Sequence, residues 1–203
     1  STRIVTEDVA KQELASHGLK VPVSIQTDDP AGQNLTFPVV LKGLGFAHKT
    51  ENNAVALNLT SSSDVATAAA NMPTDRYLLE EMITGGVVEL LIGVTLDPAH
   101  GFLLTIGMGG TLTELWNDTA HLMLPVTENG VKQCLLQLKA HKLLNGYRGN
   151  PAADIDSIVT AVLAIQDYVL ANAGSVQAVE VNPLICTPQS AIAADALIRK
   201  THD

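Results

Sequence analysis

The chain has 203 residues, 46% of them hydrophobic and 16% charged, with a formal net charge of −9 and only 3% aromatics. Such a composition belongs to a folded chain with a Leu, Val, Ile and Ala core, large enough for one big domain or two small ones. The acidic balance argues against a nucleic-acid surface, which needs a basic stripe, but not against a nucleotide held by one or two cations and a metal.

Thr6 is placed to cap a helix running to His17, with Val9, Ala10 and Leu14 inward and Gly18 as its stop. A Pro/Gly/Asp-rich connector follows from Thr27 to Asn34. Strands are predicted at Phe37 to Lys42 and Ala54 to Leu59, then an Ala-rich helix capped by Ser61 to Asp64 that ends near Met72-Pro73. Arg76 to Met82 is a third strand, broken by Thr84-Gly85-Gly86. Beyond it, strands are predicted at Val87 to Val94, Phe102 to Ile106 and Thr111 to Leu115. Two long helices come next, about Glu128 to Leu144 and Asp154 to Asn172, closed by Gly146 and Gly174. A final hairpin pairs Val179 to Ile185 with the run around Ile192 to Ala196, across the turn Thr187-Pro188-Gln189-Ser190. The order gives two α+β lobes, residues 1–83 and 84–203, with no internal repeat. Cys134 and Cys186 show neither metal spacing nor a disulfide framework, which fits a reducing, cytoplasmic home. No signal peptide is read, and no apolar run reaches the roughly 18 residues of a membrane span.

The hairpin carries the strongest chemical signal. With the turn centred on Pro188-Gln189, antiparallel pairing sets Asn182 opposite Asp195, with Glu180 on the same face. A carboxamide and two carboxylates are hard oxygen donors of the type Mg²⁺ accepts while keeping water and phosphate in its other positions. The other reading is a hairpin whose polar residues face solvent, and a register slip of one residue would separate the donors.

Lys42 closes an apolar strand, where its ammonium suits a phosphate or merely reaches solvent. Glu80 and Glu81 end the lobe-joining strand, and Glu89 sits in an otherwise apolar one, where a carboxylate requires a partner or a ligand. Gly107-Met108-Gly109-Gly110 would let backbone amides approach a phosphate, though it is neither a P-loop nor a dinucleotide fingerprint. Glu114 and Asp118 follow it. Arg148, in Gly146-Tyr147-Arg148-Gly149, can clamp an anion or cap a helix. His48, beside Lys49 in a loop between strands, is a candidate nucleophile toward phosphorus or a surface histidine.

In this order the strings FPVVLK, HKT, EEM, ELLIGV, GMGG with Glu114, GYRG, and NPL with Asp195 resemble the ATP-grasp domain of ADP-forming acetate and acyl-CoA ligases, relatives of succinyl-CoA synthetase. The resemblance covers about residues 7 to 199 and implies a two-lobed ATP-grasp fold, mixed or antiparallel sheets flanked by helices, that binds ATP/ADP and Mg²⁺. It implies that Lys42 contacts the phosphates, that Glu80, Glu81, Met82 and Ile83 form the adenine hinge, and that Glu89 lies near the ribose. Asn182 and Asp195, assisted by Glu180, would hold Mg²⁺. His48 would carry the phosphoryl group, with Arg148 and Glu114 as further catalytic residues. Gly107, Gly109 and Gly110 would receive the phosphorylated loop of a partner. The implied partners are CoA-binding and ligase domains, on the same polypeptide or an alpha subunit, with no nucleic acid or membrane. One departure stands out: the family's Gly-Gly pair after HK[ST] is replaced by Glu51-Asn52-Asn53-Ala54. It leaves open a degenerate module that binds nucleotide or a partner for regulation without turnover.

Overall fold

A computed structural model describes residues 1–45, 52–110 and 117–202. In chain order the elements are β1 (Thr2–Val5), α1 (Glu7–Ala15), β2 (Ser24–Thr27), a 3₁₀ turn (Pro30–Gly32), β3 (Val39–Gly43), β4 (Val55–Leu59), α2 (Ser62–Ala70) and β5 (Tyr77–Glu81). They continue as β6 (Val88–Asp97), β7 (Gly101–Met108), β8 (Thr119–Met123), α3 (Glu128–Gln137), α4 (His141–Leu144), α5 (Ile155–Ala171), β9 (Val176–Cys186), β10 (Ala191–Ala193) and β11 (Ala196–Thr201). The predicted strand at Thr111 to Leu115 lies outside the described residues.

The chain divides into a larger unit, Ser1–Val21 with Gly85–Asp203, and a smaller one, Pro22–Thr84. Residues 1–21, expected in the first lobe, thus belong with the second half of the sequence. The reason is pairing at long range: β1 runs antiparallel to β11, with Val5 opposite Ile198, and Val5, Ala10 and Leu14 enter the larger unit's core. On α1 the buried stripe is Glu7, Ala10, Lys11 and Leu14, the i, i+3, i+4, i+7 face of a helix. Val9, expected inward, lies off that stripe and is 38% exposed. Lys11 turns inward instead and pairs with Glu7 at 2.9 Å.

The larger unit is a seven-stranded sheet in the order β1-β11-β9-β6-β7-β8, with β10 paired to β9. Along β6, Val88, Leu90, Ile92 and Val94 are buried, and they join Ile158, Val162, Ile165 and Val169 of α5 in one core. Glu89, Leu91, Gly93 and Thr95 point to the other face by the alternation of a strand. The helix predicted over Glu128 to Leu144 is broken. Leu138 has extended backbone, and the buried Asp118 carboxylate accepts the N–H groups of Lys139 at 2.7 Å and Ala140 at 2.8 Å, starting a new helix at α4.

The smaller unit is a four-stranded sheet in the order β2-β5-β3-β4. Val39, Leu41 and Leu79 pack with Val65 of α2, Met72 and Tyr77 in its own core. Ser61 caps α2 as expected, its side chain accepting the N–H of Asp64.

A polar cluster ties α1 to the larger unit. Glu13 accepts hydrogen bonds from the Tyr168 hydroxyl and, at 3.0 Å, from Lys200 Nζ, while Lys200 lies 5.4 Å from the Tyr168 ring centre. Partial burial pushes the Glu13 carboxyl up, but the Tyr168 and Lys200 bonds outweigh it and hold it below its ordinary value. A carboxylate depressed in the fold stabilises above its unfolded pKa and loses that contribution as pH falls through the folded one. In urea unfolding, wild type should therefore exceed Glu13→Gln in stability above about pH 4.3, the ordinary carboxylate value, with the gap closing at more acidic pH. A gap independent of pH would refute the coupling.

Candidate functional site

In the smaller unit, alternation sends Val39 and Leu41 into the α2 core and turns Val40 and Lys42 to the opposite face. Val40 is paired with Glu80 and Lys42 with Leu78, so Lys42 and Glu80 are diagonal cross-strand neighbours. Their ion pair measures 2.8 Å, with Lys42 7% and Glu80 2% exposed. A lysine held this way keeps its ammonium at a fixed point, and its three donors allow it to serve a carboxylate and a phosphate together. In the sequence the two are unconnected: a strand-end lysine and the first of the Glu80-Glu81 pair stand in two separate apolar strands.

Of the expected hinge, Glu80 to Ile83, Glu80 is thus turned inward onto Lys42, while Glu81, Met82 and Ile83 follow directly and are half-buried. The amide of Glu81 donates to Val23 O and that of Met82 to Pro38 O, each at 2.9 Å, and Glu81 Oε1 accepts the Thr36 N–H at 3.0 Å. These two amides are thus engaged within the unit, and strand β5 delivers the hinge segment in one defined conformation.

In the larger unit the hairpin takes the expected register. Ala193 pairs with Leu184 and Ala196 with Val181, which brackets Asn182 and Asp195 as opposite residues. Asn182 N–H donates to Asp195 O at 3.2 Å, and Ala194 N–H to Pro183 O at 3.0 Å. The Thr187 hydroxyl organises the turn by accepting the amides of Gln189 and Ser190. Glu180, opposite Leu197 and Gly93, alternates with buried Val179 and Val181 and is exposed on the face away from the helices.

Asn182 also reaches the glycine loop: its Oδ1 accepts the N–H of Gly110 at 2.8 Å. Gly109 N–H donates to Glu89 O at 2.9 Å. A Cβ on Gly109 would lie 2.5 Å from the carbonyl carbon and oxygen of Leu90, so the two backbones meet at a distance only glycine permits. Gly110 has φ +74, and a Cβ there would sit 2.2 Å from Glu89 Oε2. Gly107, buried, packs against Asp118 and Thr119. Glu89, Gly109, Gly110, Asn182 and Asp195 are therefore one connected group.

The donor chemistry of Asn182, Asp195 and Glu180 suits a hard cation. Among the described residues no three His, Cys, Asp or Glu side chains converge as a metal site. Few carboxylates, completed by a carboxamide, water and phosphate, match the way Mg²⁺ is held and not a dedicated protein cage. Both thiols are buried; burial foremost, and then Glu89, push Cys186 up to about 12, which removes it as a nucleophile at neutral pH.

Arg148 stands on an exposed turn between α4 and α5 with φ 49, its guanidinium 5.3 Å from the Tyr147 ring centre. His48 and Glu114 lie outside the described residues. Asn53, in the stretch that stands in place of the family's glycine pair, has φ 53, the left-handed region that asparagine enters more readily than most residues other than glycine.

Comparison with known proteins agrees with this fold. The ATP-grasp domain family matches residues 1–199. The beta subunit of ADP-forming acetate–CoA ligase II from Pyrococcus furiosus is 28% identical over 213 residues, covering 96% of this chain and 90% of the relative. Trans-feruloyl-CoA synthase FCS1 from an unknown prokaryotic organism is 29% identical over 215 residues, covering 96% of this chain and 30% of that protein. The chain thus spans nearly all of one relative and under a third of the other. Among solved structures, dinucleotide-forming acetyl-coenzyme A synthetase 1 of Ca. Korarchaeum cryptofilum, bound to coenzyme A and Mg-AMPPCP with its phosphohistidine segment pointing towards the nucleotide binding site, superposes with a TM-score of 0.85 at 29% identity. The match covers 96% of this chain and 92% of that one.

Proposed function

The chain belongs to the ATP-grasp domain family, and on that premise we propose that it is the nucleotide-binding part of an ADP-forming acyl-CoA synthetase. The reaction is acid + ATP + CoA to acyl-CoA + ADP + phosphate, through a phosphohistidine relay. The observation that carries this reading is the hairpin: Asn182 stands opposite Asp195 and at the same time holds the amide of Gly110. One carboxamide thereby links the metal-type donors to the loop that would meet the transferred group.

In this reading Lys42, held by Glu80, binds the nucleotide phosphates as a point charge, and the Glu81 to Ile83 segment carries the adenine. Asp195 and Asn182, with Glu180, would hold Mg²⁺, which when bound supplies positive charge to offset the phosphates. His48 is the phosphate carrier, with Arg148 and Glu114 assisting as anion and proton partners. The glycine loop receives the phosphorylated segment of a CoA-binding and ligase partner, on the same polypeptide or a second subunit. Phosphoryl transfer depends chiefly on positioning and electrostatic stabilisation, which is what a fixed lysine and a pinned loop provide. No helix among the described residues is long and apolar enough to cross a membrane, and we place the chain in the cytoplasm. The regulatory alternative rested on the missing Gly-Gly pair. Asn53 at φ 53 weakens it, since asparagine there adopts a backbone conformation otherwise left to glycine.

Calorimetry tests the assignment. Asp195→Ala should reduce Mg²⁺-dependent ADP affinity roughly tenfold or more, the loss of one charge-assisted contact, with little change in metal-free binding. Unchanged Mg²⁺ dependence would remove the ligand assignment. Mg-ADP binding by the wild type without acyl-CoA synthesis, once the CoA-binding and ligase domains are supplied, would replace the synthetase with the regulatory module.

A further inference from the structure

Gly110 is gripped from two strands at once, and we infer from this that Glu89 is a positioning residue that fixes the glycine loop for phosphoryl transfer; the inference rests on the synthetase reading above. Glu89 lies on β6 between buried Val88 and Leu90, so its side chain emerges on the sheet face away from the helices. Its own carbonyl oxygen accepts Gly109 N–H at 2.9 Å. Its carboxylate occupies the space a Cβ of Gly110 would need, 2.2 Å from Oε2. The Gly110 Cα–H accordingly points at a carboxylate oxygen, a weak but directional contact. From the other side Asn182 Oδ1 takes the Gly110 N–H at 2.8 Å, and Asn182 is itself bonded to Asp195 through N–H to O at 3.2 Å.

The arrangement makes physical sense as a support and poor sense as a phosphate contact. A carboxylate beside a loop that receives a phosphoryl group repels the ligand, so its presence there needs another purpose. Held against Cα, it keeps Gly110 at φ +74, a conformation that aims the amide at Asn182. The loop backbone is then braced by strand β6 on one side and by the metal-type hairpin on the other. Sites of this kind demand placement to within about half an ångström, supplied by residues that do not themselves react. The ribose role implied by the family resemblance makes a different demand, since a ribose ligand acts in nucleotide binding and reads the 2′-hydroxyl.

Glu89→Ala and Glu89→Gln in the full chain, assembled with its CoA-binding and ligase domains, separate the two. A positioning role predicts that Glu89→Ala lowers kcat about 10- to 100-fold, the scale of a loop displaced by a fraction of an ångström to one ångström. KM for ADP should stay within about threefold, and the preference for ADP over 2′-deoxy-ADP should be unchanged, because positioning acts on the transition state. Glu89→Gln, which keeps the shape and an acceptor oxygen, should recover most of the rate. In the chain alone, amide exchange at Gly109 and Gly110 followed by NMR should accelerate in Glu89→Ala and not in Glu89→Gln. A raised KM with lost 2′-hydroxyl preference would overturn the inference in favour of the ribose, and unaltered glycine exchange would overturn it outright. Should the assembled wild type fail to turn over, the synthetase reading falls while the exchange measurement still decides the role of Glu89.

Discussion

Gly109→Ala should cut kcat/KM of the assembled enzyme by about 100-fold or more, the penalty of moving a catalytic loop by an ångström. The added methyl would lie 2.5 Å from the carbonyl carbon and oxygen of Leu90 and 2.9 Å from the nitrogen of Leu91. Those are atoms of a central strand, paired on both sides to β7 and β9, so the strand cannot yield and the loop must lift. Lifting breaks the Gly109 to Glu89 bond and draws Gly110 away from Asn182, disturbing the glycine loop and the hairpin together. The fold itself should survive, because the clash is at the end of β7 and with backbone atoms, which leaves the core side chains in place. Gly174→Ala is the control: a Cβ there meets nothing within 4 Å, and its variant should retain wild-type rates. Full activity in Gly109→Ala would show that the loop has no part in transfer.

That loop also shows how far the sequence alone reaches. The hairpin register is readable because a turn of Thr, Pro, Gln and Ser sits between two alternating runs, and a two-residue period admits few registers once one face is buried. Lys42 is readable as a strand-end lysine, but its partner is not, since nothing local says that β3 lies beside β5 with Val40 against Glu80. The same limit explains β1. Its TRIV sequence is mostly exposed and too short to announce a strand, and only the distant edge of β11 gives it a place. Conversely, the apolar periodicity through Leu138 predicts an unbroken helix, while the break is imposed by the buried Asp118 carboxylate some twenty residues upstream. Val9 fails for a similar reason: hydrophobicity favours it inward, but the charged pair Glu7 and Lys11 takes the buried stripe. Local pattern thus yields elements and one hairpin, whereas the groups that join elements depend on topology. Those joining groups, Lys42 with Glu80 and Gly110 with Asn182, are the ones proposed to do the work.

Lys42 is where stability and function are most entangled, and a pair of variants pulls them apart. Lys42→Met should destabilise the chain by about 3–5 kcal/mol, the usual cost of removing one partner from a buried ion pair. The cost arises because Glu80, 2% exposed, loses the ammonium 2.8 Å away and has no access to water in exchange. Replacing both charges, as in Lys42→Met with Glu80→Leu, removes the desolvation burden together with the pair, and such apolar replacements are often neutral or stabilising. Urea unfolding of the double variant should therefore return most of the lost stability. Nucleotide affinity should not return with it. The phosphate contact proposed for Lys42 would be a charge-assisted hydrogen bond of about 1.5–3 kcal/mol, so both variants should bind ADP roughly 10- to 100-fold more weakly than wild type. The comparison has a clear failing result. If the stable double variant binds ADP as wild type does, Lys42 serves only as the counter-ion of Glu80, and the phosphate assignment in the smaller unit must be given up. If binding stays lost after the fold is repaired, the buried pair is a holder: Glu80 fixes the ammonium in place before the nucleotide arrives, so that little ordering cost remains when phosphate takes its share of the charge.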